Sequence, residues 1–256
     1  MKKLLLFISL INYCFTTYAQ SQFWGVTLGG GQNNTGVIYR TDNTGNNQIV
    51  ELSSNDGNLN GTLLHAIDGK LYGMTQNGGL NGFGVLFQYD PATHTYSKKF
   101  DFDNTNSGSS AFGSLMQASD GMIYGFTSAG GLYSGGVLFQ YNPITDVYTK
   151  KIDFDGTTNG SNPYGKLIQA TDGMLYGVTR QGLGYGTLFQ YDIATSILTN
   201  KINFNGSGNG ASPSGPLMQA TDGMLYGMTR QGGTSGLGYG TLFQYNPVTS
   251  VLTKKN

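Results

Sequence analysis

Apolar and polar residues alternate in short runs along most of the chain, and glycine, asparagine, aspartate and proline separate the runs. Residues 115–154 show the pattern in full. Leu115-Met116-Gln117-Ala118 is a first run and 122–127 a second. The third, 137–141, sets Val137, Phe139 and Tyr141 on one side against Leu138 and Gln140, and 147–154 is the fourth. A period of two predicts four β-strands. Ser119-Asp120-Gly121 predicts a type I′ hairpin between the first two, because Asp-Gly tolerates positive φ. Asn142-Pro143-Ile144-Thr145 predicts a second tight turn, with proline where its fixed φ fits. The glycine-rich segment 128–136 predicts a longer loop between the second and third strands, and 155–162 leads into the next unit.

The same unit recurs. Tyr-Gly is found at Tyr72, Tyr124, Tyr176 and Tyr226, and Phe-Gln-Tyr begins at Phe87, Phe139, Phe189 and Phe243, so the period is roughly 50 residues. A diverged copy opens the repeat region, with Trp24-Gly25-Val26-Thr27 in place of Tyr-Gly-x-Thr and Val37-Ile38-Tyr39 in place of the third run. Four antiparallel strands per unit of this length is the arithmetic of a propeller blade. A lone four-stranded sheet cannot bury both faces, so neighbouring units must stack. The expected fold is all-β: a β-propeller of about five units, the first incomplete. An open β-solenoid or sandwich array is the other architecture of this arithmetic. The last unit stops at Lys254-Lys255-Asn256, where earlier units run on to Phe154 and Phe204, so the expectation is a piece of a longer array.

Composition supports strands over helices. Glycine numbers 41 of 256 residues, while charged residues make up 11% and aromatic residues 12%. Glycine weakens a helix by about 1 kcal/mol relative to alanine, whereas aromatic and β-branched runs suit a pleated sheet. Disordered chains lack such aromatic content. Basic and acidic residues are equal at 14 each, so no basic face for nucleic acid is implied.

The first residues read as a targeting segment. Lys2 and Lys3 precede the apolar stretch 4–10, and Thr17-Tyr18-Ala19 offers a small-x-small cleavage site. The apolar run is shorter than the roughly 20 residues that span a bilayer. Residues 1–19 are therefore expected to be a signal peptide and 20–256 the repeat domain, exported to the cell surface or beyond, with no membrane-spanning segment of its own. Cys14 is the chain's one cysteine and lies within the targeting segment.

The repeat resembles the GloVer-type tandem-repeat family, the choice-of-anchor tandem-repeat proteins of bacteria. Ser119-Asp120-Gly121-Met122-Ile123-Tyr124-Gly125, Gly130-Gly131 and Gly136-Val137-Leu138-Phe139 carry the likeness. They recur as Thr171-Asp172-Gly173-Met174-Leu175-Tyr176-Gly177 with Gly186-Thr187-Leu188-Phe189. The resemblance covers nearly all of residues 60–256. It implies a bacterial surface or secreted protein, often with a C-terminal sorting or anchoring domain, and no known activity. The expectation here departs from that pattern, with no such domain read after the last unit.

A residue present in every unit builds the fold, and a functional residue should break the pattern. Asp68, Asp120, Asp172 and Asp222 recur in every Asp-Gly turn and need no other role. Asp101 with Asp103, and Asp153 with Asp155, resemble an oxygen-rich calcium loop. The next unit has Asn203 and Asn205 there, which favours hydrogen-bonded Asx turns over a metal. His65 and His94 have no partner spacing for zinc. Glu51 is the only glutamate, and no P-loop or nucleophile elbow is present. The expectation is no catalytic centre, no cofactor and no metal.

An even-stranded meander places its loops at alternating ends. The short Asp-Gly and Asn-Pro turns share one end, and the longer, variable loops share the other, where ligands commonly bind. Pattern breakers lie at that second end: Arg180 and Arg230, where earlier units have Gln76 and Ser128, and the loop aromatics Phe83, Tyr133, Tyr185 and Tyr239. Rings, guanidinium groups and amides together suit a glycan or an extended peptide. The competing reading packs the rings between blades with the arginines laid over them. Three functions follow: a binding or adhesion module as the expectation, a purely structural surface array second, and a secreted hydrolase or lyase third. Exposed rings at the loop end would mark glycan binding, a unique convergent polar cluster would mark catalysis, and a structural array would show neither.

Overall fold

The computed structural model describes residues 23–41, 47–51, 56–233 and 239–255. The expected signal peptide, with Cys14 and the Ala19 site, lies outside them. Among the described residues there are twenty strands in five antiparallel sheets. The first sheet holds β1 (Phe23–Val26), β2 (Val37–Thr41) and β3 (Asn47–Glu51). The second runs through β4 (Leu59–His65), β5 (Leu71–Thr75), β6 (Val85–Asp90) and β7 (Thr95–Asp101). The third is β8 (Met116–Gln117), β9 (Ile123–Thr127), β10 (Val137–Asn142) and β11 (Val147–Asp153). The fourth is β12 (Ser161–Gln169), β13 (Leu175–Gln181), β14 (Thr187–Asp192) and β15 (Ile197–Asn203). In the fifth, β16 (Ala211–Pro213) and β17 (Met218–Gln219) both pair with β18 (Leu225–Gln231), followed by β19 (Thr241–Asn246) and β20 (Val251–Lys255). Each sheet is an up-and-down meander, so the chain is an all-β row of propeller blades, the first of which has three strands among the described residues. Within the described residues no helix is long and apolar enough to cross a membrane.

The Asp-Gly hairpin differs from the expected type I′ turn. Gly69, Gly121, Gly173 and Gly223 take positive φ, but the aspartates before them do not. Gly69 donates its N–H to the Ala66 carbonyl and Ala66 donates to Lys70, a three-residue turn with glycine in the left-handed position. The aspartate is retained for its side chain. Asp120 Oδ1 accepts the Met122 N–H at 2.9 Å and Oδ2 accepts the Tyr124 hydroxyl at 2.9 Å. Gln140 Nε2 then donates to the same hydroxyl at 2.8 Å. The Asp–Tyr–Gln chain repeats through Asp68, Tyr72 and Gln88, through Asp172, Tyr176 and Gln190, and through Asp222, Tyr226 and Gln244. It lets Tyr72, Tyr124 and Tyr176 be buried without an unpaired hydroxyl. Burial, then the neighbouring carboxylate, pushes the Tyr72, Tyr124 and Tyr176 phenols well above their ordinary value.

The two faces of each sheet meet different neighbours. Tyr124, Phe126 and Leu138 of the third sheet pack forward on Leu167, Leu175, Phe189 and Tyr191 of the fourth. Ile123, Phe139 and Tyr141 pack backward on Tyr72, Met74 and Leu86 of the second. The same division holds at the seams between the fourth and fifth and the first and second sheets. Tilted tyrosine pairs recur across three seams: Tyr72–Tyr141 at 6.1 Å, Tyr124–Tyr191 at 6.3 Å and Tyr176–Tyr245 at 6.1 Å. A phenylalanine just after β7, β11 and β15 enters the next seam, as Phe102 on Phe139, Phe154 on Phe189 and Phe204 on Phe243. Burying one such side chain contributes roughly 1.5–3 kcal/mol, so the seams carry the hydrophobic stabilisation of the row.

The mid-strand glycine of Tyr-Gly is required by a ring, not by another backbone. A Cβ at Gly125 would lie 2.7 Å from Phe139 Cζ and 2.8 Å from Leu115 Cδ2. Gly177 has the same relation to Phe189, and Gly25 to Tyr39.

Candidate functional site

The long loops do share one end of the blades, where they bond to one another. Gly131 donates to the Asn104 carbonyl, Tyr185 to Phe204 and Ser212 to Tyr185. Their roots are fixed by the threonine of Tyr-Gly-x-Thr. Thr127 Oγ1 accepts the Val137 N–H at 3.1 Å, and Thr75, Thr179 and Thr229 hold Val85, Thr187 and Thr241 in the same way.

The aspartate pairs separate into two structural tasks. Asp101 Oδ1 accepts the Leu80 N–H at 2.6 Å and Asp153 Oδ1 accepts Leu132 at 2.8 Å, which grips the loop after the second strand. Lys98 and Lys150 pair with these carboxylates at 2.9 and 2.7 Å. In the fourth unit the loop is shorter, and both members change together, to Asn200 and Asn203. Asn200 instead donates to the Thr158 carbonyl. Asp103 and Asp155 close Asx turns. Asp103 Oδ1 accepts the N–H groups of Asn106 and Ser107 and the Ser107 hydroxyl, and Asp155 Oδ1 accepts Thr157, Thr158 and Asn159. Burial alone would raise these two carboxyls, but the hydrogen bonds outweigh it and bring each down to about 2. Asn205 closes the equivalent turn through Gly208 and Asn209, which shows that the position needs an acceptor and no charge. The Asx-turn expectation therefore holds for Asp103 and Asp155, while Asp101 and Asp153 instead tie down the loop after the second strand.

The loop aromatics stand out from the surface. Tyr133, Tyr185 and Tyr239 are 59%, 52% and 89% exposed, and Phe83 is 37% exposed. Phe83, Tyr185 and Tyr239 each lie two residues ahead of the third strand of their unit, and Tyr133 lies four ahead. Tyr185 walls a pocket of about 240 Å³ together with Asn205, Ser207, Ala211, Gln231 and the backbone of Gly206, Gly232 and Gly233. A Cβ on Gly206 would sit 3.3 Å from the Tyr185 ring, so the bare glycine keeps one edge of that ring open.

Arg180 lies elsewhere, on the seam between the fourth and fifth sheets. Its guanidinium carbon is 3.3 Å from the centre of the Tyr164 ring, and one terminal nitrogen donates to Ser214 Oγ of the next unit at 3.2 Å. Ser128, at the same repeat position, donates to the Pro163 carbonyl of its next unit at 3.0 Å. The position therefore reaches across seams. Arg230, its counterpart in the last sheet, is exposed. Sequence reasoning missed the Arg180 partners, although Phe112, Tyr164 and Ser214 share one repeat position and the Phe112 and Tyr164 rings stack at 6.3 Å.

Among the described residues no three His, Cys, Asp or Glu side chains converge as a metal set. The sequence profile of the Gloeobacter/Verrucomicrobia repeat matches residues 13–183 and 158–256. None of the curated proteins matches the sequence. Solved structures of similar fold include TolB from Acinetobacter baumannii, 15% identical with a TM-score of 0.56 over 91% of this chain and 52% of that one. The extracellular domain of a protein described as a hybrid two component system from B. thetaiotaomicron is 14% identical, with a TM-score of 0.62 over 91% of this chain and 27% of that one. A chain of a nidogen/laminin complex is 12% identical, with a TM-score of 0.59 over 91% and 78%. The chain thus spans about half of the first of these and about a quarter of the second.

Proposed function

The chain belongs to the Gloeobacter/Verrucomicrobia repeat family, and on that premise we propose that it is an exported, non-enzymatic binding module whose loop end takes a glycan or an extended peptide. The observation that carries this reading is the exposure of Tyr133, Tyr185 and Tyr239 at the loop end, while Tyr72, Tyr124, Tyr141, Tyr176, Tyr191 and Tyr245 are buried in seams. Exposed rings offer flat apolar faces to a sugar or a peptide side chain. Asn205, Ser207 and Gln231 beside Tyr185 add hydrogen-bonding groups for hydroxyls or amides. Export is supported by the Lys2-Lys3 and apolar leader, and by the extracellular domain among the proteins of similar fold. The nidogen/laminin complex shows a chain of this shape in a protein assembly, which keeps a peptide or protein ligand within the reading.

A glycan array and a library of extended peptides, both probed with the mature protein, test the proposal. Tyr185→Ala should weaken a discovered ligand by about 30-fold, which corresponds to roughly 2 kcal/mol for a central ring, with thermal stability unchanged. A ligand bound equally well by Tyr185→Ala and Tyr133→Ala would place the site elsewhere, and failure of both libraries would return the protein to the structural-array reading.

A further inference from the structure

The four seams between sheets follow one pattern, and the two ends of the row present the two halves of a fifth. The forward face buries Met74, Phe126 and Val178 at one repeat position, and Leu86, Leu138 and Leu188 at another. In the fifth sheet the same positions are Met228 and Leu242, which are 62% and 46% exposed. Tyr226 stands beside them where Tyr72, Tyr124 and Tyr176 are buried. The backward face buries Leu71, Ile123, Leu175 and Leu225 and the phenylalanines Phe87, Phe139, Phe189 and Phe243. In the first sheet those positions are Phe23 and Tyr39, which are 66% and 38% exposed. Register confirms the equivalence. Tyr39 pairs with Gly25 as Phe87 pairs with Gly73, and its ring covers Gly25 as the Phe87 ring covers Gly73.

A large apolar side chain more than two-fifths exposed is ordinary when it stands alone. A contiguous set that repeats the chemistry of a buried seam marks an interaction surface. We propose that the forward face of the fifth sheet, carrying Tyr226, Met228 and Leu242, docks on the backward face of the first sheet of a second copy of the chain, carrying Phe23 and Tyr39. The occupant follows from continuity with the existing seams. Among the described residues the forward faces of the first four sheets are each covered by the backward face of the next, and the backward face left uncovered is that of the first sheet. Each copy then offers one donor face and one acceptor face, so the contact is heterologous and propagates from copy to copy until a ring closes.

Single-ended chains test this directly. Met228→Lys with Leu242→Lys blocks the forward end, and Phe23→Lys with Tyr39→Lys blocks the backward end. All four side chains are solvent-exposed, so the variants should melt within a few degrees of the parent. Sedimentation of the parent should show mass rising with concentration beyond the dimer. Each blocked variant alone should be monomeric, and an equimolar mixture of the two should stop at a 1:1 dimer, since one competent end remains on each. Association of the forward-blocked variant with itself would overturn the proposal. So would a monomeric parent at all concentrations: hydroxyl-radical footprinting then reports either protection of Met228, meaning the chain's own first sheet closes the ring, or full reactivity, meaning the face has no occupant. If a lysine variant fails to fold, Met228→Ala and Tyr39→Ala carry the same comparison with a smaller expected drop in association.

Discussion

The two ends of the blades obey different rules. At the short-turn end three of the four seams are gripped by the same bond: Gln117 Oε1 accepts the Ile67 N–H, Gln169 accepts Ser119 and Gln219 accepts Thr171, each at 2.8–2.9 Å across 48–50 residues of chain. The glutamine amides turn back to donate to the Gly121, Gly173 and Gly223 carbonyls of their own hairpins. At the loop end, by contrast, the loops differ in length from unit to unit, and large rings project to solvent. Where a side chain is used by two units at once, the repeat cannot change it without orphaning a partner. Where it meets only solvent, substitution is tolerated, and that is where recognition can be placed.

The largest effect should come from the positions the seams share. Gly125→Val and Gly177→Val drive a branched side chain into a phenylalanine ring held 2.5–2.7 Å from the new Cβ. Overpacking of this kind costs on the order of 3 kcal/mol, visible as a lower denaturant midpoint. Melting of either variant at the parental temperature would show that the seam ring can move aside.

A paired substitution sharpens the contrast between the ends. Asp120→Ala at the turn end leaves the Tyr124 hydroxyl and the Met122 N–H without their acceptor, a loss of about 1–2 kcal/mol. Tyr133→Ala at the loop end should change stability by about 0.5 kcal/mol or less, as for surface positions generally. Equal losses in chemical denaturation would erase the distinction between fold-building and exposed positions.

The smallest effect is acid sensitivity of the loop roots. The folded pKa of Asp103 and of Asp155 is about 2, below the unfolded value of about 3.9. A depressed carboxyl contributes stability that is complete above the unfolded pKa and lost as pH falls from about 4 toward 2. The double variant Asp103→Asn, Asp155→Asn should therefore show a shallower decline of melting temperature over that window, while keeping its Asx turns as Asn205 does. An unchanged slope would mean that other carboxylates govern the acid limb.

The outcome at Arg180 shows where sequence reading stops. As a pattern breaker at the loop end it belonged with Tyr185, yet the fold lays it on Tyr164 and against Ser214, 34 residues further along the chain. Tyr185, chosen by the same argument, does wall a pocket. The expected type I′ turn failed for a related reason. Asp-Gly supports more than one turn type locally, and a hydroxyl four residues away, on Tyr124, made the aspartate's side chain the constraint.

What the sequence determined by itself is what repeats within one unit: the strand runs, their turn positions, and the separation of short turns from long loops. These depend on side-chain alternation and turn chemistry over a few residues, and five copies reinforce the same pattern. Tertiary structure alone decided which face of each strand meets which neighbour, which loop residues reach across a seam and which point to water, and that among the described residues the outer faces of the first and fifth sheets are exposed. Those outcomes depend on contacts between residues about fifty positions apart. Burial there is a property of the neighbouring sheet, so Val178 is buried and its counterpart Met228 exposed although both occupy the same place in the repeat.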